Sequence, residues 1–145
     1  MTKDSFDWLG SMMPLVCMFV GFYWFMVRRP LEKQKMRARE RLAQAQALIG
    51  QLREKVLVVT VGDIEGRETR QVLGAVTGRS PLEASSHLEQ EVAEQEALAA
   101  LMVNALNMGA NAVVDLRLSN STHEQTYTKW MVTMTCYIGT AVDIN

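Results

Sequence analysis

Hydrophobic and polar positions along the chain change rhythm three times. Between Trp8 and Val27 there is no Asp, Glu, Lys, Arg or His. A helix over that stretch is ~30 Å long, the depth of a bilayer's hydrocarbon core, so the pattern predicts a transmembrane helix over 8–27. Trp8 at one end and Tyr23-Trp24 towards the other suit the headgroup level, and Pro14 predicts a kink. A cleaved signal peptide fits less well. Lys3-Asp4-Ser5-Phe6-Asp7 is not a basic leader, and no small-x-small site follows Val27.

The second rhythm is helical. Pro30 suits a first turn, and Leu31 to Lys55 is rich in Glu, Gln, Ala, Leu, Arg and Lys, all good helix formers. Leu31, Ala38, Leu42, Ala45, Ile49, Leu52 and Val56 follow a heptad spacing. Such a seam either zips copies of the chain together, with Leu42, Ile49 and Leu52 as oligomerisation contacts, or lies on the protein's own globular domain or on membrane neighbours.

The third rhythm mixes periods of two and 3.6. Val56 to Val61 is largely β-branched and ends in the turn-rich Gly62-Asp63-Ile64-Glu65-Gly66, which predicts a hairpin into a second strand at Gln71 to Gly78. Ser80-Pro81-Leu82-Glu83 has the form of a capping box with proline in the first turn. A helix is therefore expected from there to Met108, where Gly109 supplies a left-handed stop. Leu88, Val92, Ala99, Met102 and Leu106 recur along it at helical spacing. Alternation then predicts strands at Val114 to Leu118 and Thr126 to Val142, with Asn120 to Glu124 as a polar loop. The order β-β-α-β-β is an α+β layer in which one helix covers one side of the sheet, and association would bury the rest.

Length and charge narrow the classes. At 145 residues and 16.3 kDa there is room for one compact domain and a small attachment, which excludes a multidomain enzyme. The expected organisation is a tail and membrane helix over 1–29, a basic helical stalk over 30–55 and an α+β domain over 56–145. Fifteen basic residues against 16 acidic ones exclude a globally basic nucleic-acid binder. The distribution is uneven, nine basic against three acidic residues over 28–55 and five against eleven over 56–145. Basic residues directly after the apolar run place the C-terminal domain in the cytoplasm and the N-terminus outside. Trp8, Trp24, Arg28, Arg29, Lys33 and Lys35 are then the expected membrane and lipid contacts.

Candidate chemistry is sparse. Cys17 and Cys136 stand too far apart in sequence and too few in number for a disulfide scaffold or a zinc cluster. Cys136 reads as a structural cysteine in a strand, and His123 falls in the polar loop. His87 with Glu83 and Glu91 share one helix face at i and i±4 spacing and are the candidate metal ligands, the alternative being a solvated polar face. Ser85 and Ser86 adjoin His87, but neighbours on a helix do not face one another and no orienting acid is identifiable. No phosphate loop or dinucleotide fingerprint is present, so neither a catalytic residue nor a cofactor-binding residue is expected, and an enzyme is not expected.

Two stretches carry family resemblances. Residues 22–44, FYWFMVRRPLEKQKMRARERLAQ, resemble the membrane segment and basic helix of YajC-type accessory subunits of the bacterial Sec translocon. Gln71-Val72-Leu73-Gly74-Ala75-Val76-Thr77-Gly78, Leu106 through Leu118 and Ile138-Gly139-Thr140-Ala141-Val142 resemble three signature stretches of the YbjQ-like, heavy-metal-binding family, in the right order across 56–145. That second resemblance implies a dodecin-like α+β subunit assembling into a ring, typically a pentamer. The resulting expectation is a single-pass inner-membrane protein presenting a cytoplasmic homo-oligomeric ring as scaffold or accessory subunit of a membrane complex. The alternatives are a ring that binds a metal or small ligand, and a YajC-like partner of the Sec translocon. Expected partners are the protein itself, membrane lipids and other membrane-complex subunits, with no nucleic acid.

Overall fold

The structure, a computed structural model, describes residues 4–62, 64, 66–125 and 129–145, with the side chains of residues 4–12 and 27 outside the described set. The chain divides into two compact units, Met1–Arg37 and Ala38–Asn145.

The first unit is helical. An α-helix, α1 (Asp4–Tyr23), gives way to a π-helical turn, Trp24–Arg28, and then to a second helix, α2 (Arg29–Arg53), whose residues from Ala38 onward belong to the second unit. Each arginine lies over an aromatic ring four residues earlier, the spacing that makes side chains neighbours on a helix. The Arg28 guanidinium lies 4.7 Å from the Trp24 ring centre and that of Arg29 lies 5.2 Å from the Phe25 ring centre. Large apolar side chains from Met13 to Met26 are exposed, Met18 and Phe19 each at 69%.

The expected transmembrane helix over 8–27 is corrected: among the described residues no helix is long and apolar enough to cross a membrane. The apolar run is shared between two elements, because the α-helical ladder ends at Tyr23 and Trp24 to Val27 belong to the π turn. Extending α1 back to Asp4 dilutes it instead, adding Asp4, Ser5 and Asp7 to a helix that already holds Gly10, Ser11, Pro14 and Gly21. The single-pass inner-membrane placement and the orientation drawn from Arg28, Arg29, Lys33 and Lys35 fall with the span. Trp8 belongs to α1, with its side chain outside the described residues.

The second unit is an α+β layer. Four strands, β1 (Leu57–Val58), β2 (Thr69–Ala84), β3 (Ala112–Glu124) and β4 (Met131–Ile144), form a mixed sheet in the order β1-β3-β4-β2, and helix α3 (His87–Asn107) lies across it. Antiparallel registers such as Gly78↔Tyr137 and Leu118↔Tyr137 put those three residues on one face. That face meets α3 so closely at Gly78 that an added Cβ would strike the Ala97 carbonyl, the Leu101 amide and the Leu101 Cβ. Only glycine lets helix backbone sit on strand backbone there. The core follows from this contact, with Leu101 and Met102 at 0% and 1% exposure above Val76, Val113 and Ala141. Gly109, at φ 82°, ends the helix in the left-handed conformation.

Of the two readings of the heptad seam, the intramolecular one describes its last four positions. Ala45, Ile49, Leu52 and Val56 are buried, the last three in the core beneath α3. Leu42 is half-buried.

Four other expectations are corrected. The predicted hairpin between the first two strands does not form: β1 runs parallel to β3, with Leu57↔Ala112 and Val58↔Val113, while β2 pairs with β4. The turn residues Asp63 and Glu65 lie outside the described residues, as does Thr126 at the predicted start of the last strand. The helix begins six residues later than its first capping signal, because Ser80 to Ala84 continue β2. Asn120 to Glu124, predicted as a loop, extend β3. Finally, the dodecin-like ring is replaced by what is seen, a single α+β layer with a mixed four-stranded sheet; ring assembly is not shown.

Candidate functional site

The part of α2 from Ala38 onward docks on α3 through a charge pair as well as through its apolar seam. Arg41 donates from Nε to Glu96 Oε1 at 2.8 Å and from Nη2 to Glu96 Oε2 at 3.0 Å. Ser80, buried at 1% on β2, donates from Oγ to the same Oε2 at 2.8 Å and accepts from the Leu82 amide at 3.0 Å. Glu96 is therefore held by two elements and its charge is balanced by Arg41. Two turns further along α3, Asn104 donates to the Thr77 carbonyl at 2.8 Å, tying the helix to the free edge of β2.

These contacts leave a groove of about 410 Å³ between α2, α3 and β2. Ala45, Leu48 and Val103 give it apolar walls, and Arg41, Glu96, Asn104 and Arg79 give it polar ends. The volume falls in the range of small-molecule sites, as does the combination of apolar walls with a few convergent polar groups. Arg79 differs from Arg41 in its partner. Among the described residues it makes no ion pair, and its Nη2 donates to the neutral sulfur of Met134 at 3.2 Å. Arg79 also lines a neighbouring pocket of about 310 Å³ with Glu83 and Met134. Met134 lines that second pocket and not the groove, so the Nη2 end of Arg79 lies on the Glu83 side while Arg79 also borders the groove.

The candidate metal ligands are not brought together. His87 opens α3, Glu91 is exposed one turn on, and Glu83 stands on β2 rather than on the helix. Glu83 instead faces His123, placed by β3, with Oε1 3.7 Å from Nε2, and accepts from Gln125 Nε2 at 3.5 Å. This pairing crosses β4, so only the strand order reveals it. No group of three or more His, Cys, Asp or Glu occurs among the described residues. Cys136, half-buried, donates to the adjacent Tyr137 carbonyl at 3.5 Å, and the Met134 thioether is taken up by Arg79. A closed heavy-metal site needs about four such donors converging, and this donor set does not fit one.

Two titrations are displaced by local structure. Burial raises Glu89, but hydrogen bonds from the side chains and backbones of Ser85 and Ser86 outweigh it and hold the carboxyl below its ordinary value. Tyr137 is pushed up, first by burial and then by the negative charge of Glu94.

Of the lipid contacts expected from the sequence, Trp24 and Arg28 are engaged with each other, Arg29 with Phe25, and Lys33 and Lys35 are exposed on α2. The Arg41–Glu96–Ser80 cluster and Arg79 were not legible as a site. The i to i+55 separation of Arg41 and Glu96 leaves no local signal, although an acid recurring on an otherwise apolar helix face is the one clue the sequence holds.

Comparison with known proteins supports the domain and leaves its role open. No curated protein matches the chain, and the likeness to YajC-type segments over 22–44 finds no support. The fold is similar to the crystal structure of a protein of unknown function from Pediococcus pentosaceus ATCC 25745, described as belonging to the DUF74 family. The identity is 17% and the TM-score 0.51, over 62% of this chain and 98% of that one. Residues 82–145, which comprise α3, β3, β4 and the end of β2, match the family model YbjQ_1, described as "Putative heavy-metal-binding", and so carry a YbjQ-like domain.

Proposed function

We propose that residues 38–145 form a small-ligand-binding domain and that its ligand is a small polar anion held by Arg79 in the groove between α2 and α3. The observation that carries this reading is an arginine, without an ion-pair partner among the described residues, that lines a groove of about 410 Å³. A forked, permanently charged donor is suited to a carboxylate or phosphate, with Asn104 beside it as a second hydrogen-bonding group. The family description supports a binding role in general, while the donor set argues for an organic or inorganic anion over a metal ion. Arg41 and Glu96 act as the fixed wall: their mutual pairing keeps the groove from collapsing and leaves Arg79 as its net charge.

The test is a titration of the full chain with succinate and with inorganic phosphate, followed by amide and guanidinium resonances. Saturable shifts at Arg79, Ser80 and Asn104 are expected for at least one anion, with affinity falling roughly tenfold in Arg79→Gln. Absence of saturable shifts with both anions, or unchanged binding in Arg79→Gln, refutes the reading.

A further inference from the structure

A second cavity, of about 450 Å³, lies between the end of α2, β1, α3 and β3. Val56, Leu57, Val58, Leu98, Met102 and Leu116 line it, and the single charged group at its margin is Arg53, exposed in the last turn of α2. The backbone beside it is irregular in a way that shapes it. The register of β3 on β4 jumps between Val114 and Arg117, and Asp115 adopts φ 54°, a left-handed conformation that is uncommon for a residue with a Cβ and that Asp tolerates better than most.

The bulge pairs with the residues after β1. Asp115 donates its amide to the Val61 carbonyl and Leu116 donates to that of Val59, each at 3.3 Å, so the bulge leaves neither amide unpaired. Its product is the placement of Leu116 on the wall of the cavity. A bulge re-aims the side chains beside it, and this one sets Leu116 against the hollow.

From this geometry we infer a second ligand site, for an amphipathic monocarboxylate whose acyl or aryl body occupies the apolar walls and whose carboxylate meets Arg53. Charge complementarity selects the occupant. Apolar walls alone would accept any apolar group, but Arg53 makes no ion pair among the described residues and adds preference for one negative charge at the mouth. The site shares no lining residue with the groove at Arg79, so the two readings stand or fall separately.

The test is calorimetric titration of the full chain with octanoate and with octanol, in the wild type and in Arg53→Gln and Arg79→Gln. Arg53 is exposed at a helix end, so its replacement leaves the fold intact. Octanoate is expected to bind at one site, roughly tenfold more weakly in Arg53→Gln and unchanged in Arg79→Gln. Octanol is expected to bind equally to all three, and methyl resonances of Leu98, Met102 and Leu116 are expected to shift with either ligand. The inference is overturned if octanoate binds no better than octanol, or if Arg53→Gln binds it unchanged. It is also overturned if the protein is dimeric with those methyls already shielded and neither probe binds, which would make a second copy the occupant.

Discussion

The two halves of β3 are built from one continuous strand and live under opposite rules. Its inner half, Ala112 to Val114, is buried on both faces, between the core under α3 and a smaller apolar cluster with Val142 and Ile144. Its outer half, Arg117 to Thr122, is exposed throughout although the ladder with β4 continues unbroken to Glu124. Both halves pair with β4, and the inner half also carries β1 on its other edge, at Ala112 and Val113; what sets tolerance to a larger side chain is the neighbour across the face. Near the inner half, Gly139 already sits where a Cβ would meet Val113 Cγ1 at 2.6 Å, and Gly78 bears directly on helix backbone. Beside the outer half there is solvent.

The largest effect expected from this difference is at Gly78. Gly78→Ala must push α3 away from the sheet, because the obstructing atoms include backbone and cannot rotate aside. A loss of at least ~3 kcal/mol is expected, against less than ~0.5 kcal/mol for Ser119→Ala on the outer half. Urea unfolding of the two variants followed by circular dichroism measures both. Comparable losses would show that the outer half is also packed, and would remove the distinction.

Much of this fold was legible because it is local. The helical spacing through α3, its glycine stop and the alternation of β4 rest on neighbours a few residues apart. What was misread depended on distant contacts, and the clearest case is a signature that occurs twice. Ser80-Pro81-Leu82-Glu83 and Ser86-His87-Leu88-Glu89 both match the helix-capping pattern. The first forms edge strand: Pro81 has no amide to lose there, and the Ser80 hydroxyl is spent on Glu96 of the helix it was expected to start. The second caps α3, with Ser86 Oγ accepting from the Glu89 amide at 3.3 Å and Glu89 Oε2 accepting from the Ser85 amide and hydroxyl at 2.9 and 2.7 Å. Nothing within either tetrapeptide separates them. The strand order and the groove residues were hidden for the same reason, since β1–β3 pairing and the Arg41–Glu96 contact exist only after the chain has folded.

The working cap sits at a boundary between the two regimes and sharpens the comparison at intermediate magnitude. Ser86→Ala is expected to cost about 1 kcal/mol, while Ser80→Ala costs more because it leaves Glu96 short of a buried donor. Acid adds a second readout. The folded-state value of Glu89 is depressed, so the stability it contributes is fully present above its unfolded value and is lost as pH falls through the folded one. Thermal unfolding of wild type and Glu89→Gln through the carboxylate range should therefore converge at the acid end and separate above it. Parallel profiles would mean that the serines do not favour the charged form.

The smallest expected effect tests the exposed half most directly. His123 and Glu83 approach to 3.7 Å with side-chain exposures of 41% and 42%, a geometry in which solvent screens the attraction and two long-range partners must be ordered to gain it. His123→Ala is expected to change stability by less than ~0.5 kcal/mol, and the double variant with Glu83→Gln to show no coupling beyond that figure in a mutant cycle. Because the pair spans β4, a coupling of 1 kcal/mol or more would require that the outer strands be held rigid by something other than their own ladder. In that event the exposed half of β3 is a surface awaiting contact, and its tolerance in the isolated chain measures the absence of a neighbour rather than freedom from one.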